Sequence, residues 1–108
     1  MAIAKKDHFA PKEVELAEWA KALGHPARLA ILKVLAERNA CICGEIVEVL
    51  PLAQATVSQH LKALKEAGIV EGTIEGPRSC YCLNQEALKR ARAAFEGLFE
   101  KIIQPGCC

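Results

Sequence analysis

Six cysteines in 108 residues are the strongest chemical signal in this chain, and they fall in three close pairs. Cys41 and Cys43 flank Ile42, Cys80 and Cys82 flank Tyr81, and Cys107 and Cys108 are adjacent. Four thiolates can hold Zn²⁺ or Cd²⁺ tetrahedrally, and three can bind trivalent arsenic or antimony. The same pairs could instead close into disulfide or polysulfide bridges. Compartment decides between these chemistries. The opening Met1-Ala-Ile-Ala-Lys-Lys-Asp-His8 lacks the apolar stretch of a secretory signal. No apolar run approaches the roughly 18 residues that span a bilayer. A cytoplasmic protein without a membrane partner is expected, its thiols reduced and suited to metal or redox work.

A second chemical set lies between residues 54 and 65. Val57, Leu61 and Leu64 stand at i, i+4 and i+7, so a helix there has one apolar side. Its opposite side carries Ala55, Gln59, Lys62 and Glu66, flanked by Ser58. Near its start this surface is small or amide-bearing, with Gln54 and Thr56 in the first turn. Gln can read an adenine edge in a major groove, and Ser can pair flexibly. Lys62, Lys65 and His60 suit phosphates, and Arg78 suits the backbone or minor groove beside them. Charge gives no help: the whole chain is only +1, and Lys62, Lys65 and Arg78 are cancelled by Glu66, Glu71 and Glu75. His8, His25 and His60 are read as structural, phosphate-facing or disordered rather than as ligands.

The elements that must position these groups follow from pattern. The chain is one domain by length, with 52% hydrophobic but only 5% aromatic residues, a composition that favours helices. Residues 1–10 read as a flexible basic arm. Pro11 starts a helix with Leu16, Trp19, Ala20 and Leu23 on one stripe, ended by Gly24. Pro26 starts a second, carrying Leu29, Ile31, Leu32 and Leu35, closed near Asn39. A short strand or turn at 40–43 leads to a third helix from about Gly44 to Leu50. The helix at 54–67 follows, with Gly68 beyond its end. Residues 69–74 and 79–83 then flank a Gly-Pro turn as a hairpin. A last helix from Gln85 to Ile103 has the strongest stripe: Leu88, Ala91, Phe95, Leu98, Phe99 and Ile102. Residues 104–108 form a cysteine-containing tail.

This order is mainly α with a small β-hairpin wing: a winged helix-turn-helix, α-α-(β)-α-α-β-β-α, over residues 11–103. In such a fold the strand at 40–43 pairs with the second wing strand. Alternation then sends Ile42, Tyr81 and Leu83 one way and Cys41, Cys43, Cys80 and Cys82 the other. Directly opposed Cβ atoms lie about 4.5–5.5 Å apart, close enough to share one soft ion. Cys107 and Cys108 are the second candidate site, as a two-sulfur pair or as a supplement to Cys41 and Cys43.

The segments Ala22-Leu-Gly-His-Pro-Ala-Arg-Leu-Ala-Ile-Leu32, Cys41-Ile-Cys43, Ala55-Thr-Val-Ser-Gln-His-Leu61 and Leu64-Lys-Glu-Ala-Gly-Ile-Val70 together resemble the ArsR/SmtB family of metal- and metalloid-responsive repressors. The resemblance runs from about Leu16 to Phe99. It implies a homodimer built on the first and last helices, binding to double-stranded operator DNA, and release when a metal or metalloid binds. Two features depart from the family pattern. Its arsenic-type motif of three cysteines is incomplete, because Ile46 stands at the third position. Ala53 stands where Ser often caps the recognition helix. The zinc-type site on the last helix needs His and Asp, which this helix lacks.

The expected function is therefore repression relieved by a thiophilic inducer, arsenic(III) or antimony(III) foremost, with Zn or Cd also suited to these sulfurs. A thiol-based redox or reactive-sulfur sensor of the same fold is the first alternative. A winged helix used only for protein contacts is another. A small thiol enzyme is remote: there is no Cys-x-x-Cys, no Gly-rich cofactor loop and no Ser/His/Asp set, so neither catalysis nor an organic cofactor is expected.

Overall fold

A computed structural model describes residues 8–38, 42–43, 50–73 and 80–106, with backbone alone at Ile42, Cys43 and Thr73. Its elements are α1 (Pro11–Ala22), α2 (Pro26–Arg38), β1 (Ile42–Cys43), α3 (Gln54–Glu66), β2 (Val70–Thr73), β3 (Cys80–Leu83) and α4 (Gln85–Ile102). Residues 1–7 of the expected arm at 1–10, most of the expected helix at 44–50, the hairpin turn with Arg78, and Cys41, Cys107 and Cys108 lie outside the described residues.

Local chemistry explains where the helices begin and end. Pro11 opens α1 at a position whose N–H has no intrahelical partner. His25 caps α2 from the side, its Nδ1 accepting the Ala27 N–H at 3.0 Å. Asn84 caps α4 likewise, accepting from Ala87 at 3.1 Å. In contrast, α3 starts at Ala53 with no side-chain cap, as its composition requires. Its far end is closed instead. Gly68 N donates to Lys65 O at 2.9 Å, and Ile69 N donates to Leu64 O at 3.0 Å. That is a Schellman arrangement, and Gly68 supplies the positive φ of 81° it needs.

The core gathers Trp19 and Ala22 from α1, Ile31 and Leu35 from α2, and Val57, Leu61 and Leu64 from α3. Ile69, Val70, Tyr81 and Ala91 close it. Two expected inward residues are exposed. Ala20 faces outward and Ala22 inward, because the buried line runs i, i+3 from Trp19. Leu29 is 46% exposed; lying two residues before buried Ile31, it is turned about 200° away from it on the helix.

The strands form one antiparallel sheet in the order β1-β3-β2. Tyr81 anchors the middle strand in the core, flanked by exposed Cys80 and half-buried Cys82. Gly72 lies opposite Tyr81 with φ 124°. A Cβ there would run into the Cys80 carbonyl and come within 2.9 Å of the Tyr81 Cα, so the hairpin requires glycine. Beyond β3, Asn84 N donates to Ile69 O at 2.8 Å, tying the start of α4 to the exit of α3. Among the described residues no helix is long and apolar enough to cross a membrane.

Candidate functional site

The fold separates two faces of α3 cleanly. Val57, Leu61 and Leu64 are at most 2% exposed, while Gln54, Ala55, Thr56, Gln59, Lys62, Lys65 and Glu66 are all exposed. The polar side groups expected to touch a partner thus sit on one helix, turned away from the core. Ser58 is half-buried at the edge of that surface. His60 is half-buried too, and it is engaged within the protein: its Nδ1 accepts from Arg28 Nε at 3.1 Å. The His60 and His25 rings stand 4.5 Å apart, tilted by 49°. Burial, then the neighbouring His25 and Arg28, push the His60 imidazole below its ordinary pKa.

The cysteines follow the expected pairing as far as the described residues reach. β1 runs antiparallel to β3 with Ile42 opposite Tyr81 and Cys43 opposite Cys80. Alternation along β3 sets Cys80 and Cys82 apart from buried Tyr81. On the other side of β3, Thr73 stands opposite Cys80 and Glu71 opposite Cys82. Cys80 is disulfide-bonded. Among the described residues, no three His, Cys, Asp or Glu side chains are grouped to hold a metal. Cys41, Cys107, Cys108 and Arg78 cannot be placed, since they lie outside those residues.

Arg28 and Glu71 were not expected at this site, and His25 was expected only as a structural residue. Arg28 and His25 join His60 across more than thirty positions, which no local spacing reveals. The available signal was the pattern His25-Pro-Ala-Arg28 at a helix start, where a cap and a cation share one turn. Glu71 comes beside Cys82 through the hairpin register, which a Gly-Pro turn alone does not fix.

The geometry of a short strand, a two-faced helix and an antiparallel hairpin recurs in known proteins. Residues 25–72 match the family described as "Bacterial regulatory protein, arsR family". An uncharacterised helix-turn-helix transcriptional regulator of Methanocaldococcus jannaschii is 43% identical over 79 residues, covering 72% of this chain and 88% of that protein. The chain belongs to the arsR family. A homologue of the cadmium resistance regulatory protein CadC from Staphylococcus aureus is 34% identical over 88 residues, 81% of this chain and 72% of its own length. An ArsR-like transcriptional regulator from Rhodococcus sp. RHA1 superposes with a TM-score of 0.69 at 25% identity, over 85% of this chain and 86% of that one. This ArsR-family chain is thus a transcriptional regulator of winged-helix fold, from a family that binds double-stranded DNA and whose members are regulators rather than enzymes.

Proposed function

We propose that this repressor reads its operator with the exposed face of α3 and lets go when a thiophilic metalloid or metal binds the cysteines of β1 and β3. The register that sets Cys43 opposite Cys80 carries this reading. Trivalent arsenic or antimony is the favoured inducer, with Cd²⁺ and Zn²⁺ next; a cadmium-resistance regulator among the relatives supports soft-metal sensing. Arsenous acid would exchange up to three hydroxyls for as many cysteine sulfurs, each hydroxyl leaving as water with the proton of one thiol, with no change in oxidation state. Cys41, Cys43, Cys80 and Cys82 are the candidate ligands, with Cys107 and Cys108 as the alternative source.

On the DNA side, Gln54, Thr56, Ser58 and Gln59 face base edges, Lys62 and Lys65 face phosphates, and Arg78 extends the contact from the wing. The switch reaches α3 along a short path. A ligand on β3 pulls a strand that leads directly to Asn84, and Asn84 N holds Ile69 O at the closed end of α3. A ligand that prefers the displaced pose shifts the equilibrium by its differential affinity, typically about 1–3 kcal/mol.

The working unit is a homodimer built on α1 and α4. Leu98, Phe99, Ile102 and Ile103 are 38–70% exposed along the end of α4. Arg90 of α4 reaches α1, 5.7 Å over the Trp19 ring and 4.0 Å from Glu15. Two copies would set two recognition helices on successive turns of the groove.

The Cys80 disulfide favours a second reading, a thiol-redox sensor. There two thiols give up two protons and two electrons to a peroxide, which is reduced to two waters. Fluorescence anisotropy on promoter DNA separates the readings. Arsenite, antimonite, Cd²⁺, Zn²⁺ and peroxide are titrated onto the complex, with Cys43→Ser, Cys80→Ser and Cys107→Ser variants. Release by arsenite from reduced protein, lost in Cys43→Ser and Cys80→Ser, supports thiolate sensing. Release by peroxide alone supports the redox reading, and normal release from every variant overturns both.

A further inference from the structure

One guanidinium joins three helices. Arg28 lies in the first turn of α2; its Nη1 donates to Ala22 O at 3.2 Å and to Lys21 O at 3.5 Å. Those are last-turn carbonyls of α1 at the negative end of the helix dipole, and Lys21 O also accepts from Gly24 N at 3.2 Å. Its Nε donates to His60 Nδ1 on α3 at 3.1 Å. Arg28 is half-buried, and a cavity of about 350 Å³ beside it opens between α1, α3 and α4.

The bond to His60 has a protonation requirement. A guanidinium is always a donor and never an acceptor. Nδ1 can receive it only as the bare nitrogen of a neutral imidazole whose proton sits on Nε2. A proton on Nδ1 would set two donors 3.1 Å apart and a second cationic group beside Arg28, with the His25 ring 4.5 Å away. The surroundings offer partial relief only. Glu15, Glu18 and Lys21 of α1, Glu66 of α3 and Arg90 of α4 line the cavity next to Arg28. The described titratable residue of β2 is Glu71, exposed and opposite Cys82. Burial first, then His25 and last Arg28, holds His60 below its ordinary pKa.

We propose that Arg28 is the positioning residue of the recognition helix, acting through His60, and that it fixes α3 against the α1–α2 turn only while His60 Nδ1 carries no proton. The proposal rests on α3 being the DNA-reading helix. Its sign is distinctive. Added positive charge ordinarily strengthens binding to DNA, whereas protonating His60 releases α3 and weakens operator binding relative to non-specific DNA.

The test uses the full chain and two duplexes, operator and scrambled, from pH 7.5 to 5.5 at fixed salt. The wild-type ratio of operator to scrambled affinity should fall roughly tenfold on acidification, the worth of one hydrogen bond involving a charged group. His60→Asn keeps an acceptor on Cγ where Nδ1 stood but does not titrate. It should hold the neutral-pH ratio within about twofold, with no acid fall, by the same hydrogen-bond argument. His60→Leu should lose roughly tenfold at both pH values. Arg28→Gln removes the facing cation, so the His60 titration midpoint followed by NMR should rise. An acid fall that persists in His60→Asn, wild-type binding by His60→Leu at pH 7.5, or an Nδ1–H tautomer in the NMR spectrum would each overturn the proposal. If wild type binds no operator at any pH, the reading of α3 fails instead. Amide exchange within α3 then decides the latch: protection that falls as His60 protonates supports it, and unchanged protection sinks it.

Discussion

The two most amphipathic helices among the described residues differ in who covers them. The apolar line of α3 is finished within one copy: Val57, Leu61 and Leu64 touch the core and are at most 2% exposed. The line on α4 is stronger in sequence yet buries only Ala87 and Ala91, leaving Phe99 50% and Ile102 58% exposed. Periodicity says that a face needs cover; it does not name the cover. For α3 the covering surface comes from α2 and the sheet, which frees its other face for DNA. For α4 the proposed covering surface is a second copy of the chain.

Mutations can break that contrast. Leu61→Ala should cost about 2–5 kcal/mol of folding stability in a denaturant titration, because it opens a cavity in a closed core. The same truncation at Leu98 should cost far less in dilute monomer. Equal losses would mean that α4 is already covered. Next in size, Phe99→Glu should weaken self-association at least tenfold by sedimentation, given the roughly 1.5–3 kcal/mol carried by a buried apolar side chain. An unchanged sedimentation profile would remove the dimer from the account.

Capping sharpens the contrast with a smaller effect. Asn84→Ala should destabilise α4 by about 1 kcal/mol, and Ala53→Ser should stabilise α3 by a similar amount, read as shifts in Tm. The smallest effect is in pH. The folded His60 pKa lies below its unfolded value, so the unfolded chain takes up a proton first as the solution is acidified. Stability present above the ordinary histidine range is therefore lost as pH falls through the folded pKa. His60→Asn should flatten that part of the stability profile, measured by thermal melts at stepped pH.

Much of this organisation was legible in the chain. The i, i+4, i+7 line of α3, the glycine at its end and the missing cap at Ala53 all depend on residues close in sequence. The pairing of β1 with β3 was legible too, because in a winged helix the short strand pairs with the second wing strand. Legibility failed where tertiary packing chooses among candidates. Leu29 is as apolar as Leu35 but lies on the wrong side of α2. The His25–Arg28–His60 cluster needs two helices brought together before its chemistry exists. Glu71 reaches Cys82 only once the hairpin register is set.

The central claim, that the exposed face of α3 reads bases, is tested most directly at Gln59. Operator and scrambled duplex affinities are measured for Gln59→Ala at one salt concentration. A loss of about 1–3 kcal/mol on operator is expected, the worth of one base-reading pair, with scrambled-duplex affinity unchanged. Unaltered operator binding, or an equal loss on both duplexes, would contradict it.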